Sequence, residues 1–363
     1  MELVDVGRVV AGLVLLVGGG ELLVRGAAAV ARAVGISPLV VGLLVVSAAT
    51  SAPELAVTID AVARGEPNLA VGNVVGSNIV NVLLILGLSA ALAPLVVKRQ
   101  LVRFDLPVMV GVSALFLVLS LDGSLRWWDG LILLACLVVH SVLTVRLGRR
   151  EPIDAAEGAS LSTPVAALLV VLGVGVLVAG ANLLVAGAVN IATTVGVSSL
   201  VVGLTVVAVG TSLPELATSL IALLRGERDM AVGNIVGSSI FNIAMVLGLP
   251  ALLFSGGIPV PPAAIALDIP LMVAASVALL PIAFTGFVVA RWEGGLFVGL
   301  YGAYVAYVVL AATQHDALEG FTSVMVWFVL PLVAVTLVVF ASYEVGVVRG
   351  RRQARQAGGN AGS

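Results

Sequence analysis

The chain has 363 residues, 60% of them hydrophobic and 10% charged, with a mean hydropathy of +1.20 and a formal net charge of −2. Soluble domains carry about 25% charged residues, so these values exclude a water-soluble globular protein and give no case for nucleic-acid binding. The apolar runs are continuous rather than alternating, which argues against a membrane barrel, and the single cysteine, Cys136, lies within one of them, which rules out a disulfide framework or a zinc site.

With about 20 apolar residues per crossing, eleven spans are expected. They run over 4–24, 37–63, 69–93, 104–121, 127–147, 163–187, 197–224, 230–254, 264–287, 293–313 and 322–347. The first has no convincing cleavage site after it and is expected to be retained. Fifteen of the basic residues, among them Arg25, Lys98, Arg225 and the tail Arg349–Arg355, fall on one side of the membrane. Only Arg8, Arg64 and Arg126 fall on the other. Positive residues mark the cytoplasmic side, so the expectation is a multi-pass cell-membrane protein with its N-terminus outside and its C-terminus in the cytoplasm. Trp127 and Trp128, beside Arg126, read as an interfacial anchor.

One stretch occurs twice at an offset of 161 residues. The first copy holds Thr50-Ser51-Ala52-Pro53-Glu54-Leu55 and Gly72-Asn73-Val74-Val75-Gly76-Ser77, ending at Asn81. The second holds Thr211-Ser212-Leu213-Pro214-Glu215-Leu216 and Gly233-Asn234-Ile235-Val236-Gly237-Ser238, ending at Asn242. From Glu21 to Leu88 about 38 of some 68 positions match without a gap, which is an internal duplication. An odd number of spans separates equivalent positions, so the second copy crosses the membrane in the opposite sense. Inverted repeats of this kind belong to secondary transporters, with the site near the midplane. The expected fold is an all-α integral membrane protein of two inverted five-helix repeats, residues 1–147 and 163–313. A cytoplasmic linker, 148–162, joins them, and 314–363 adds an eleventh helix and a basic tail.

Glu54 and Glu215 sit inside the second and seventh spans with no basic residue at similar depth. A carboxylate at the bilayer centre costs on the order of 3 kcal/mol, so two at equivalent places point to function rather than to a structural ion pair. The residue before a proline avoids helical geometry, and proline suits the first turn of a new helix. Both spans are therefore expected to break, the second over Ser47–Ala52, with Thr50 or Ser51 capping the new helix and the helix dipole favouring Glu54. The carbonyls freed there, with Ser47 and Ala208 at equivalent positions, are candidate cation donors. Thr50, Glu54 and Thr58 share one helix face, as do Thr211, Glu215 and Ser219. Asn73, Ser77 and Asn81 share another, repeated by Asn234, Ser238 and Asn242. All these donors are hard oxygens, which suit Ca²⁺ or Na⁺ better than Mg²⁺, zinc or copper. Two negative charges balance one Ca²⁺ or two Na⁺. Less is expected of the other polar residues: Asp105 and Asp268 as caps before prolines, His140 as a packing residue, and Glu21 as a pathway residue or a partner of Arg25.

The two motifs together resemble the alpha-repeats of the sodium/calcium exchanger family, within the cation/calcium antiporter superfamily. The resemblance implies ten helices in two inverted halves, with cation sites between the second, third, seventh and eighth. It implies that Glu54 and Glu215 ligate Ca²⁺ and share Na⁺, and that Thr50, Ser51, Thr211, Ser212, Ser77, Ser238, Asn81 and Asn242 complete the sites. The chain departs from the family pattern in its eleventh span, in Ala49 where glycine is usual, and in having asparagine at both Asn81 and Asn242. The expectation is an antiporter, not an enzyme, that moves Ca²⁺ against Na⁺ by alternating access with no cofactor. Ca²⁺/H⁺ exchange at the same glutamates is the alternative, and a cation channel a more distant one.

Overall fold

The computed structural model describes residues 3–148, 162–197, 202, 205, 206, 208–284, 286–336, 338, 339 and 342. The expected linker and basic tail lie outside them. In chain order the helices are α1 (Leu3–Val34), α2 (Pro38–Thr50), α3 (Ala52–Ala63), α4 (Pro67–Leu92), α5 (Leu101–Ser120) and α6 (Trp127–Gly148). There follow α7 (Thr163–Thr194), the short turn α8 (Ala208–Gly210), α9 (Leu213–Leu224), α10 (Arg228–Leu253), α11 (Ala264–Phe284), α12 (Arg291–Ala312) and α13 (Ala317–Thr336). Among the described residues nine of these helices are long and apolar enough to cross a membrane, and α2 with α3 makes a tenth, bent crossing. Of the expected seventh span, 197–224, much of the first half lies outside the described residues, and α8 and α9 are what is described.

Four two-residue strands show how the halves relate. β1 (Leu95–Val96) pairs with β4 (Val288–Val289), and β2 (Ser124–Leu125) pairs with β3 (Ile258–Pro259), both antiparallel. Each ribbon takes one strand from each half. One span, α5, separates β1 from β2, so the two ribbons lie at opposite faces of the membrane. This is the arrangement that inverted repeats require.

Burial ranks the helices. Within their most apolar windows, α4 is 78% and α10 83% buried, against 28% for α1 and 22% for α7. The motif helices therefore form the centre, and α1 and α7 form a pair outside it. Both are 32 residues long, about 48 Å. That exceeds the expected 4–24 and 163–187 and the thickness of the hydrocarbon core, so they must tilt. Glycines bring them together: a Cβ at Gly19 would stand 2.7 Å from the Leu177 amide, and one at Gly173 2.6 Å from that of Leu23. The eleventh span is present as α13, whose window has no buried residue, with Trp327 82% exposed.

Several crossings contain a π-helical turn: Gly42–Val46, Val80–Leu86, Leu101–Asp105, Asn242–Leu247 and Ala264–Asp268. Such turns are rare and gather at functional sites. The last residue of the first copy, Asn81, and its counterpart Asn242 lie in two of them.

Candidate cation site

The two broken spans and the two motif helices meet crosswise. α3 packs on α4 of its own repeat and on the π-turn Asn242–Leu247 of the other. α9 packs on α10 and on the π-turn Val80–Leu86. The break between α2 and α3 bends the chain by 41° at Ser51, where φ is −80° and ψ 0°. Ser212 has nearly the same geometry, φ −88° and ψ 6°.

The break is shorter than expected. The Ser51 amide still donates to the Ser47 carbonyl at 2.9 Å, so a single residue leaves the helix rather than the stretch Ser47–Ala52. The Ser47 hydroxyl closes the turn by donating to the Gly42 carbonyl at 2.7 Å and to the Asn234 carbonyl at 3.0 Å. Of Ala208 only the backbone, at the start of α8, is described. Neither Ser51 nor Ser212 caps its helix with its side chain, contrary to expectation. A cap oxygen accepts from the second or third amide of the helix. Here the second residue is Pro53 or Pro214, which has no N–H, and both hydroxyls are left without a partner.

Hydrogen bonds tie the repeats together at the same depth. The Thr50 hydroxyl lies 3.3 Å from the Ser238 hydroxyl and donates to Asn234 Oδ1 at 3.3 Å; in mirror fashion Ser77 and Thr211 hydroxyls lie 3.5 Å apart. Asn73 donates to Thr58 Oγ1 at 3.1 Å and to the Glu54 carbonyl at 3.2 Å, and Asn234 donates to Ser219 Oγ at 3.1 Å. These two asparagines pin the motif helices to the broken spans, which uses up their amide nitrogens and the hydroxyls of Thr58 and Ser219.

What remains is a set of polar atoms with no partner among the described residues. It comprises both carboxylate oxygens of Glu54 and of Glu215, the hydroxyls of Ser51, Ser212 and Thr218, both amide atoms of Asn81, and Asn242 Oδ1. All are fully buried or nearly so. A buried polar group normally has a partner, and a buried charge is paired or binds a metal. The described residues hold no group of three or more histidine, cysteine, aspartate or glutamate side chains that could bind a metal. The unpartnered atoms are instead two carboxylates and several neutral oxygens, hard donors that suit Ca²⁺ or Na⁺.

A cavity of about 300 Å³ lies beside the broken spans, lined by Pro53 and Val57 of α3, by Val178, Asn182 and Val185 of α7, and by Gly210, Thr211 and Pro214. Thr211, half-buried, lines it and is hydrogen-bonded to Ser77.

A family model described as "Sodium/calcium exchanger protein" matches residues 5–146 and 165–310. The chain belongs to the sodium/calcium exchanger family. It is 42% identical to the putative antiporter CaxA of Alkalimonas amylolytica, over 75% of this chain and 87% of that one. It is 32% identical to the sodium/calcium exchanger MaX1 of Methanosarcina acetivorans, over 81% and 95%. The solved structure of the sodium-calcium exchanger NCX_Mj, soaked with Na⁺ and Sr²⁺, superposes with a TM-score of 0.73 at 32% identity, covering 84% of this chain and 99% of that one. A multi-pass cation/calcium antiporter fold is thereby established.

Within this exchanger fold two features escaped the sequence reading. Thr218, one turn beyond Glu215, adds an unpartnered hydroxyl where the first repeat has Val57. Its spacing from Glu215 was the available signal. Asn78, which follows Ser77, accepts from Asn242 Nδ2 at 3.3 Å and donates to the Ser239 carbonyl at 3.2 Å. Asp105 is a correction. It caps nothing, because α5 runs on as helix through it, and the π-turn Leu101–Asp105 accommodates Pro107. Its carboxylate instead meets His140 Nε2 at 2.9 Å, accepts from Thr144 Oγ1 at 3.0 Å and from Gln100 at 3.4 Å, all away from the cation site. His140 is thus a bonded partner rather than packing alone, with Phe104 stacked on its ring.

Proposed function

We propose that this protein moves Ca²⁺ out of the cell in exchange for Na⁺, by alternating access at one shared site. The observation that carries the reading is the set of buried, unpartnered oxygens on four helices of two inverted repeats. Two carboxylates with no basic neighbour cannot stay both charged and empty in a low-dielectric core. They are neutralised by one Ca²⁺ or by Na⁺ ions, which compete for Glu54 and Glu215. Ser51, Ser212, Thr50, Thr211, Ser77, Ser238, Asn81 and Asn242 supply the neutral oxygens, and the Ser47 and Ala208 carbonyls further ones, although that of Ser47 already accepts from the Ser51 amide. Calcium accepts six to eight oxygens in flexible geometry, which this set can provide.

The basic residues orient the molecule with its N-terminus outside. In that frame α3 and the Asn182 end of α7 face outward, so the cavity opens to the exterior and the structure is outward-open. The functional halves are 1–147 and 163–313, with 148–162 as the cytoplasmic link.

The test is ⁴⁵Ca²⁺ uptake into proteoliposomes loaded with Na⁺, beside vesicles loaded with K⁺ or carrying only a pH gradient. Uptake driven by the Na⁺ gradient is expected, and Glu54→Gln or Glu215→Gln should abolish it while the protein still inserts. Uptake driven only by the pH gradient would move the protein to proton coupling at the same glutamates. Normal flux in both variants would overturn the site assignment.

A further inference from the structure

The two repeats differ at the surface that closes the second route to the site. Through the 161-residue offset, the cavity wall residues Asn182, Val185 and Val57 correspond to Glu21, Val24 and Thr218. On that second side there is close contact. α1 packs along α9, and a Cβ at Gly20 would lie 3.2 Å from Ile221 and 3.5 Å from the Ala217 carbonyl. Glu21 binds Arg225 at the end of α9 through both carboxylate oxygens, and also Arg25 of its own helix.

The sequence shows how this contact became one-sided. Arg64 and Arg225 are equivalent. Arg64 is satisfied one turn back on its own helix by Asp60, at 2.9 Å. At the place of Asp60 the second repeat has Ile221, and at the place of Glu21 it has Asn182. The acidic partner has thus moved from the broken helix to the span that faces it. The result, among the described residues, is a bond across the route on one side only.

We propose that Glu21 has two roles in the transport cycle: a latch to Arg225 while its side is closed, and the first carboxylate met by cations when that side opens. By the internal symmetry, the opened vestibule would have Glu21 at its mouth and the Thr218 hydroxyl further in, where the present cavity has an amide and a methyl-bearing side chain. The pair is partly exposed, with side-chain exposures of 24% for Glu21 and 50% for Arg225. A pair so placed is weak, as a bond broken in every cycle must be. This inference rests on the alternating-access reading above.

Two measurements test it. In a Cys136→Ser background, Val24→Cys reports the closed side and Val185→Cys the open one, through labelling by a membrane-impermeant maleimide. Glu21→Gln and Arg225→Gln should each speed labelling at position 24 several-fold and slow it at position 185. Unchanged labelling at both positions would overturn the latch. The half-saturating Ca²⁺ concentration on the Glu21 side then separates the second role. It should rise in Glu21→Gln, which removes the carboxylate, and fall in Arg225→Gln, which releases it from the arginine across the route and leaves it with Arg25 alone. A shift in the same direction for both would overturn that role. Should the parent protein exchange no Ca²⁺ at all, the antiporter reading fails, while the labelling still decides the latch.

Discussion

Gly237→Ala tests the joint between the repeats. A Cβ there would lie 2.2 Å from the Ser47 hydroxyl oxygen, 2.4 Å from the Leu43 carbonyl oxygen and 2.8 Å from Leu43 Cα. A comfortable carbon–oxygen separation is about 3.3 Å or more, so the two helices must part by about 0.9 Å. The serine cannot simply turn aside, because its hydroxyl holds the Gly42 and Asn234 carbonyls. Two energies oppose one another. Alanine is about 1 kcal/mol better than glycine inside a helix, whereas overpacking costs about 1–3 kcal/mol. The net loss of stability is then about 0–2 kcal/mol, and the protein should fold. Function should suffer more. The bonds from Thr50 to Ser238 and Asn234 are already 3.3 Å long, and parting by 0.9 Å breaks them just where the two halves of the donor set meet. The expected outcome is a drop of Tm by a few degrees in detergent and a loss of Ca²⁺ exchange of tenfold or more in proteoliposomes. Exchange at the parental rate with an unchanged Tm would refute the geometry of the joint.

Two further outcomes follow from side chains that the sequence reading undervalued. Thr218→Val removes a buried hydroxyl that bonds to nothing among the described residues, so the empty protein should keep or slightly raise its Tm. If the hydroxyl serves a cation, the half-saturating Ca²⁺ concentration in ⁴⁵Ca²⁺ uptake rises severalfold; no change in uptake would remove it from the site. His140→Leu removes a hydrogen-bond partner of the fully buried Asp105. Leaving a buried polar group short of a partner costs about 1–3 kcal/mol, visible as a fall in thermal stability, whereas Ca²⁺ affinity of the folded fraction should change little.

The architecture was legible because its signals are long. The duplication, its odd span count and the apolar runs gave the inverted repeats and the order of the spans, and the two ribbons repeat that symmetry. The donor residues were legible because Pro-Glu inside an apolar span has few structural explanations. Finer features depended on neighbours distant in sequence. At Ser51 and Ser212 the side-chain caps did not form: a proline removes one of the two amides that could donate, and neither hydroxyl takes up the other. Asp105 was read from Pro107 beside it, whereas its partners His140 and Thr144 lie on another helix some 35 to 39 residues away. α1 runs past its expected end because small residues such as Ala27–Ala29 pack against neighbours and lower the local hydropathy without ending the helix, and α7 runs past its own through the polar Asn190, Thr193 and Thr194, which lower it likewise.

One pair of donors is equivalent in sequence and unequal in how it is held. Asn81 and Asn242 are equivalent, yet only Asn242 is anchored: its nitrogen donates to Asn78 Oδ1, which leaves its oxygen unpartnered. Asn81 would need the same help from Ser239, the counterpart of Asn78, but that hydroxyl donates to the Ile235 carbonyl at 3.0 Å. Both amide atoms of Asn81 are left without a partner. One asparagine thus has its oxygen fixed for a cation, and the other can turn. Asn78→Ser would make the two repeats alike and free Asn242. The loss of one buried hydrogen bond is worth about 1 kcal/mol, so cation affinity should fall about fivefold, provided the amide must present its oxygen. A Ca²⁺ titration of the purified protein, followed by its thermal shift, measures this directly. Unchanged affinity would mean that Asn242 is held by the cation rather than held ready for it.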